Sequence, residues 1–443
     1  MINNRVFSIQ KSEVPTVADL PEVIQGLVKH ELLRWNVSKV SEETLTVEAT
    51  TYDGELLPFD THVINQYYPG RSAVVSIIPT GVGCDIGGYA GDAAPVTNLL
   101  AAAADYLITN PNAVNASNFI NLDSNVIYTE GSLIDMLCMG QINLHLPYTN
   151  RVGLIIEESS AKNLDVVFNI INTVRAVHGV NIQDYVITEG RIGSRCVRNE
   201  SGAFVGTIDN PDVLFRACEQ LLAKGVNAIG VTTNVQDLPP DAYVDHFAGR
   251  CPNPVGGVEA VISHLITRTY HVPAAHAPFI NLKQLDLEQS IVDARGAGEM
   301  ASASGLACVL IGLRQSPQIR SHPSSRIADV LNINNISAVV APASCLGGIP
   351  VLYALKHNIP IIAVRENQTI LDVTSANLHL ESVIEVANYA EAAGILLALR
   401  KGINLETIRR PLVTLRHDTE DVTFSDLLTP KKAQELVLVA ANS

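Results

Sequence analysis

The chain is 443 residues long, is 47% hydrophobic, and carries 45 acidic against 30 basic residues for a net charge of −15. That length exceeds what one hydrophobic core usually serves, so two or three domains are expected. The acidic balance opposes docking on nucleic acid or anionic lipid, and no run reaches the roughly 18 uninterrupted apolar residues of a membrane span, so neither is expected as a partner.

Residues 1–70 read as a small α+β portion. "LPEVIQGLVKHELLRW" carries apolar residues at helical spacing, and "ETLTVEATTY" alternates like a half-buried strand. From Ala73 onward short Val/Ile-rich runs alternate with Ala/Leu-rich helical stretches, the pattern of parallel sheets covered by helices. "AVVSII" (73–78) precedes the helical "VTNLLAAAADYL"; "RVGLIIE" (151–157) precedes "NLDVVFNIINTVRAVHG" and "DYVIT". "PDVLFRACEQLLAKG" leads to "VNAIGVTT" (226–233), and "GLACVLIGL" (305–313) continues the series. "ISAVVAP", "IPVLYALKHN" and "IPIIAV" (336–364) make a complete strand, helix, strand unit, expected to cross over right-handed. Turn-rich stretches at 188–211, 235–257 and 314–329 are long enough to be functional loops. "LLTPKKAQELVLVAANS" (427–443) reads as a helix packing back on the body. The expected fold is α/β, with two parallel-sheet lobes and covering helices plus the small N-terminal α+β portion. The lobes are placed at 71–235 and 236–443.

Three glycine pairs stand out, each after a cysteine and before an apolar helical run. They are Gly87 and Gly88 in "PTGVGCDIGGYAGDAAP" (79–95), Gly256 and Gly257 in "RCPNPVGGVEAV", and Gly347 and Gly348 in "APASCLGGIPVL". A strand, a glycine turn and a helix start can cradle an anion, because the first helical N–H groups lack internal partners and the dipole favours negative charge. The same glycines could instead serve only tight turns. No G-x-G-x-x-G or G-x-x-x-x-G-K-[ST] is present, so dinucleotide and ATP binding are not favoured.

The seven cysteines, at 84, 138, 196, 218, 251, 308 and 345, include no CxxC and suit free thiols in a reducing compartment. The amino-terminal "MINNRVFSIQKSEV" lacks the charged start and apolar core of a secretory signal, so the cytoplasm is the expected location. Cys84 and Cys345 both follow a strand and precede a helical run, where a thiolate would be stabilised for nucleophilic or proton chemistry, with Asp85 beside the first. Two thiols facing one carbon resemble in outline the cofactor-independent racemases of acidic amino acids, although no G-C-T-H or C-N-T-x stretch occurs. Buried apolar cysteines are the alternative.

A divalent metal is the competing reading, with His264, His271 and His276 as ligands; otherwise the cofactor is unknown, or none is needed. Arg250, in a loop before a glycine pair, and Arg365 with Glu366, directly after "IPIIAV", occupy places where a parallel sheet presents its ligand crevice. A guanidinium there would fork onto a carboxylate or phosphate. Asn110 and Asn112, in "ITNPNAVNAS", suit amide recognition or an ordinary turn. Asp293, Arg295 and Glu299 in "DARGAGEMASASG" rank below these.

"PTGVGCDIGGYAGDAAPVTNLLAAAADYLITNPNAVNAS" and "VVAPASCLGGIPVLYALKHNIPIIAVREN" resemble a domain-of-unknown-function family of photosynthetic organisms, over nearly the whole chain. The resemblance implies a cytoplasmic or plastid setting and no particular activity. The expected function is therefore an enzyme on a small anionic metabolite, of racemase/epimerase type, with a metal-dependent hydrolase or lyase and a metabolite-sensing or scaffold protein as alternatives. A homo-oligomer stays open.

Overall fold

The computed structural model describes residues 1–58, 71–110, 116, 121–159, 164–236, 238, 240–279, 291–302, 305–319 and 330–415. Strands β1 (Ile2–Gln10), β2 (Glu31–Val40) and β3 (Thr44–Tyr52) form an antiparallel sheet in the order β1-β3-β2. Only the first half of the expected N-terminal helix forms, as α1 (Leu20–Leu27). Its second half becomes β2, because Leu33, Trp35 and Val37 are buried at every second position and pair with the β-branched run of β3. The pairing shifts register between Leu32 and Arg34 and again between Val37 and Lys39. Such irregularities bend a strand and re-aim its side chains.

A six-stranded parallel sheet is built from two stretches far apart in the chain. Strands β4 (Ala73–Ser76), β5 (Tyr106–Thr109) and β6 (Val126–Tyr128) supply one half, and β16 (Ile336–Pro342), β17 (Ile361–Val364) and β18 (Val383–Val386) the other. The order β18-β17-β16-β4-β5-β6 reverses direction between β16 and β4, the doubly wound arrangement. Alternate residues serve two cores. Ala73 and Val75 face the N-terminal sheet, α3 (Gly131–Cys138) and α10 (Ile349–Lys356), while Val74 and Val340 face α2 (Ala94–Ala101) and α12 (Tyr389–Arg400).

Between those halves lies a second parallel sheet, β13-β12-β8-β9, made of β8 (Arg151–Ile156), β9 (Asn181–Ile187), β12 (Ala228–Thr233) and β13 (Ala274–Pro278). Helices α5 (Pro211–Ala223) and α7 (Gly256–Tyr270) cover one face, α4 (Leu164–His178) and α9 (Gly305–Leu313) the other. The apolar run 305–313 is thus a buried helix. A hairpin of β10 (Ser194–Arg198) and β11 (Phe204–Ile208) occupies the first long loop, and α6 (Pro240–Phe247) the second. A small antiparallel sheet joins β7 (Leu144–His145), β14 (Gln318–Ile319) and β15 (Val330–Leu331). Short helices α8 (Ala297–Ala301) and α11 (Ser375–Leu378) complete the elements.

Two parallel sheets under helices match the expected class, but their strands do not follow the expected boundary at residue 235. Strands β12 and β13, on either side of it, pair with each other, and β4 pairs with β16 across the whole inserted sheet. Fully apolar central strands require neighbours on both edges, and sequence order does not say which. Residues Met1–Leu397 form one compact unit and Ala398–Ser443 another, whose described part holds a 3-10 turn at Leu405–Thr407. The expected C-terminal helix at 427–443 lies outside the described residues.

Strand β11 and the start of α7 touch backbone to backbone. A Cβ on Gly206 would overlap the main chain of Val258, and one on Gly257 the main chain of Phe204 and Val205. Gly206→Ala is therefore expected to lower stability in urea denaturation by about 1–3 kcal/mol. Gly394→Ala, in α12 with nothing within 4 Å of the added methyl, is expected to leave stability unchanged or raise it by up to about 1 kcal/mol.

Candidate functional site

A cavity of about 210 Å³ opens at the carboxyl ends of β4 and β16, where the six-stranded sheet reverses its winding. Open parallel sheets hold ligands at this place. Ile77 and Ile78 after β4 and Cys345 after β16 form its floor, the first residues of α7 and α10 (Gly256, Ile349) its sides, and Arg34 and Trp35 of β2 its roof. Arg34 stands between the two register breaks of its strand. Val37 N donates to Gly347 O at 3.0 Å, which clamps β2 onto the turn before α10.

Among the described residues none hydrogen-bonds or ion-pairs with the Arg34 guanidinium, and Glu48 and Asp135 act on it only through space. Burial lowers its pKa, against the pull of those carboxylates. The Asp135 carboxyl lies in the same wall with no hydrogen-bond donor among the described residues. Burial, then the neighbouring Glu130, lifts its pKa from 3.8 to about 7, with Arg34 and Arg268 pulling the other way. Glu130 is tied down: Oε1 accepts from Leu133 N (3.0 Å) and Ser132 Oγ (2.7 Å), Oε2 from Ser132 N (3.0 Å), capping α3. His264 Nε2 lies 3.5 Å from Glu130 Oε2. Burial, then the charge of Arg34, holds His264 near a pKa of about 3, so this imidazole is neutral. His276 is neutral for the same first reason, also at about 3. Its Nε2 bonds Thr233 Oγ1 at 2.9 Å, and its buried Nδ1 has no partner among the described residues.

The second sheet has its own reversal point, between β8 and β12, but a protein carboxylate occupies it. Fully buried Glu157 accepts from Ile192 N (2.8 Å), Gly193 N (3.1 Å) and Asn234 N (3.0 Å).

A separate cavity of about 240 Å³ lies under the outer part of the 79–95 segment, lined by Cys84, Asp85, Gly88 and Arg250 together with His246 and Arg295. Both arginines are engaged: Arg250 with Asp245 (2.5 Å), and Arg295 with Asp293 (2.9 Å) and Asp85 (3.4 Å). The segment divides the two cavities, so Cys84 faces this one and Cys345 the inner one.

The expected thiolates are not found. Cys84 is 4% exposed and donates from Sγ to Pro79 O at 2.9 Å. Burial pushes its pKa well up, and Cys345 adds to the effect. Burial alone carries Cys345 to about 12, and α10 begins only at Ile349, too far on to stabilise a thiolate there.

The glycine pairs mostly serve close packing. Gly87 takes a φ of +96°, and a Cβ on Gly88 would sit 2.7 Å from Cys84 O. A Cβ on Gly347 would meet Val37 O at 2.7 Å, and one on Gly256 would meet Gly81 N at 3.1 Å. Gly348, the N-cap of α10, keeps open space and lines the inner cavity. Asn110 also lines it, but its amide is spent on the backbone just past β4: Oδ1 accepts from Ile78 N at 2.9 Å and Nδ2 donates to Ile78 O. Asn112 lies outside the described residues.

Arg365 and Glu366 are exposed and line neither cavity, and Glu366 instead accepts from Tyr389 N at 2.9 Å. His264 and His276 line the inner cavity while His271 ends α7 and reaches Leu57 O at 3.2 Å. No group of three metal-capable side chains forms among the described residues, so the histidine trio is not assembled. Arg34, Glu130 and Asp135 escaped sequence reasoning. A lone cation inside "LLRW" and a carboxylate two residues after "VIY" were the available signals.

The family model described as "Protein of unknown function (DUF3326)" matches residues 73–409, and the chain belongs to this family. An uncharacterized lipoprotein of Synechococcus sp. is 37% identical over 360 residues, covering 80% of this chain and 99% of that protein. No solved structure matches. No single helix among the described residues is long and apolar enough to cross a membrane. Arg34 and Trp35 precede the matched segment, so the cavity roof comes from outside it.

Two outcomes follow from the site. In the native protein at pH 7.5, Cys84 is expected to stay unlabelled by iodoacetamide while the urea-unfolded chain labels fully; rapid native labelling of Cys84 would contradict its burial. Asp135 keeps its proton to about pH 7 when folded but releases it near 3.8 when unfolded, so the unfolded state binds fewer protons in that window. The Asp135 contribution to stability therefore falls as pH rises from about 4 to 7. Asp92, also lifted to about 7 by burial, contributes in the same direction, while His264 and His276, held neutral near 3, contribute in the opposite one. The unfolding free energy of the native chain relative to Asp135→Asn, from urea titrations, should therefore drop across this range by up to about 4 kcal/mol for a shift of this size.

Proposed function

We propose that this member of the family is an enzyme that binds a small carboxylic acid in the inner cavity, with Arg34 as the anion anchor and Asp135 as the proton-transferring group. One observation carries the reading: a guanidinium without a bound counter-charge among the described residues faces a cavity at the reversal point of a parallel sheet. A single planar guanidinium matches one carboxylate by a forked pair of hydrogen bonds. Glu130, Glu259 and Asp135 around it oppose a second negative charge, which favours a carboxylate over a phosphate dianion. The N-termini of α7 and α10 add partial positive charge from the sides.

Apolar walls at Ile77, Ile134 and Leu371 receive the rest of the molecule. A dry cavity of about 150 Å³ takes benzene, so the volume here suits roughly eight to ten non-hydrogen atoms. Asp135, poised near neutrality between Glu130 on one side and Arg34 and Arg268 on the other, can give or take a proton at the pH of a cell. The neutral thiols, both raised in pKa, fit that task poorly. The relative's designation as a lipoprotein sets membrane attachment beside the cytoplasm as the location to test by fractionation.

Trp35 is the only tryptophan in the chain and lines the cavity, so its emission reports ligand entry. Titration with small carboxylates is expected to change that emission, with inorganic phosphate inert. Arg34→Met should weaken binding about 10- to 100-fold, the worth of a charged hydrogen bond. Asp135→Asn should keep binding and slow turnover of the acid so identified by about 10²- to 10⁴-fold. A silent Trp35 with every carboxylate would refute the reading.

A further inference from the structure

A cleft of about 320 Å³ lies on the far side of the cavity roof, between α1, β2 and α3. Trp35, Asp135 and Ile349 line both spaces, so the wall between them is one side chain thick. The two spaces differ in chemistry. The inner one sets one guanidinium and the carboxyl groups of Glu130, Asp135 and Glu259 among apolar walls, whereas the outer one presents Glu31 and Arg268 together with Gln25, Lys29 and Gln141, and the side chains of these last three have no partner among the described residues. Trp35 is held in this wall by regular pairing with Ala49 of β3 and is only 7% exposed.

We infer that the cavity and the cleft are two compartments of one binding site, divided at Trp35, for a ligand with a compact carboxylate head inside and a polar, hydrogen-bonding extension outside. The inference rests on the carboxylate reading of the inner cavity and adds the shape and polarity of the substrate to it. Asp135 then sits at the neck, against the atoms that join head to extension. The family match covers Asp135 and Ile349 but not Trp35, so part of the dividing wall is contributed by the N-terminal sheet.

Two probes test this, followed through Trp35 emission: hexanoate, which fits the inner space alone, and 6-acetamidohexanoate, which carries the same head with an amide extension. The extended acid is expected to bind at least about tenfold tighter, the worth of one or two added hydrogen bonds. Gln141→Leu should erase that gain while leaving hexanoate affinity unchanged, which also shows that the variant is folded. If hexanoate binds and the extended acid binds no better, the two-compartment inference falls and the inner site stands. If neither acid binds, both fall.

Discussion

Everything at the candidate site depends on the pairing of β4 with β16. These strands are neighbours in the sheet though the whole second sheet separates them in sequence, and Ile77 N extends their ladder by donating to Val340 O at 2.8 Å. Because the winding reverses there, the chain segments leaving the two strands diverge to opposite sides and leave a gap that helices cannot cover. The 79–95 segment, the turn before α10, the start of α7 and the bent strand β2 each enter that gap from a different direction. Side chains from four distant parts of the sequence meet around about 210 Å³ as a result.

The chain has two such reversal points and treats them differently. In the second sheet Glu157 fills the place with its own carboxylate and satisfies three backbone N–H groups that a bound anion would otherwise take. In the larger sheet no protein carboxylate bonds to Arg34 among the described residues. A buried carboxylate bound by amide donors is a structural fixture, whereas an uncompensated guanidinium beside empty space is an unfinished interaction.

The alternation of Val/Ile-rich runs with Ala/Leu-rich helices made the α/β class readable, since strands buried on both faces must be continuously apolar. Which strands paired was not readable, because β4 and β16 are equally apolar and nothing local marks them as partners. The stretch "HELLRW" misled for a definite reason: its apolar spacing fits a helix as well as a strand, and pairing with β3 decided the matter. Arg34 went unseen with it. The glycine pairs were correctly singled out as places of close approach, but what approaches at Gly347 is Val37, and at Gly257 it is Phe204 and Val205, rather than a ligand. Cys84 and Cys345 follow strands as expected, yet thiol acidity depends on burial, which sequence position does not disclose. Arg365 had the topologically favoured place and the wrong orientation, since a side chain at a strand end faces the crevice or the solvent according to details of the turn.

The nested arrangement also governs how the protein comes off the ribosome. Strand β4 is synthesised long before β16, and at about 5–20 residues per second the interval from Ser76 to Ile336 lasts on the order of ten to fifty seconds. Throughout that time the first half-sheet has an apolar edge with no neighbour, while the inserted sheet, whose strands are all closer in sequence, can complete itself. The nascent chain is therefore most open to strand-edge aggregation during this wait. The last segment to emerge closes the larger sheet and the candidate site in one event, so a chain truncated before β16 would lack both.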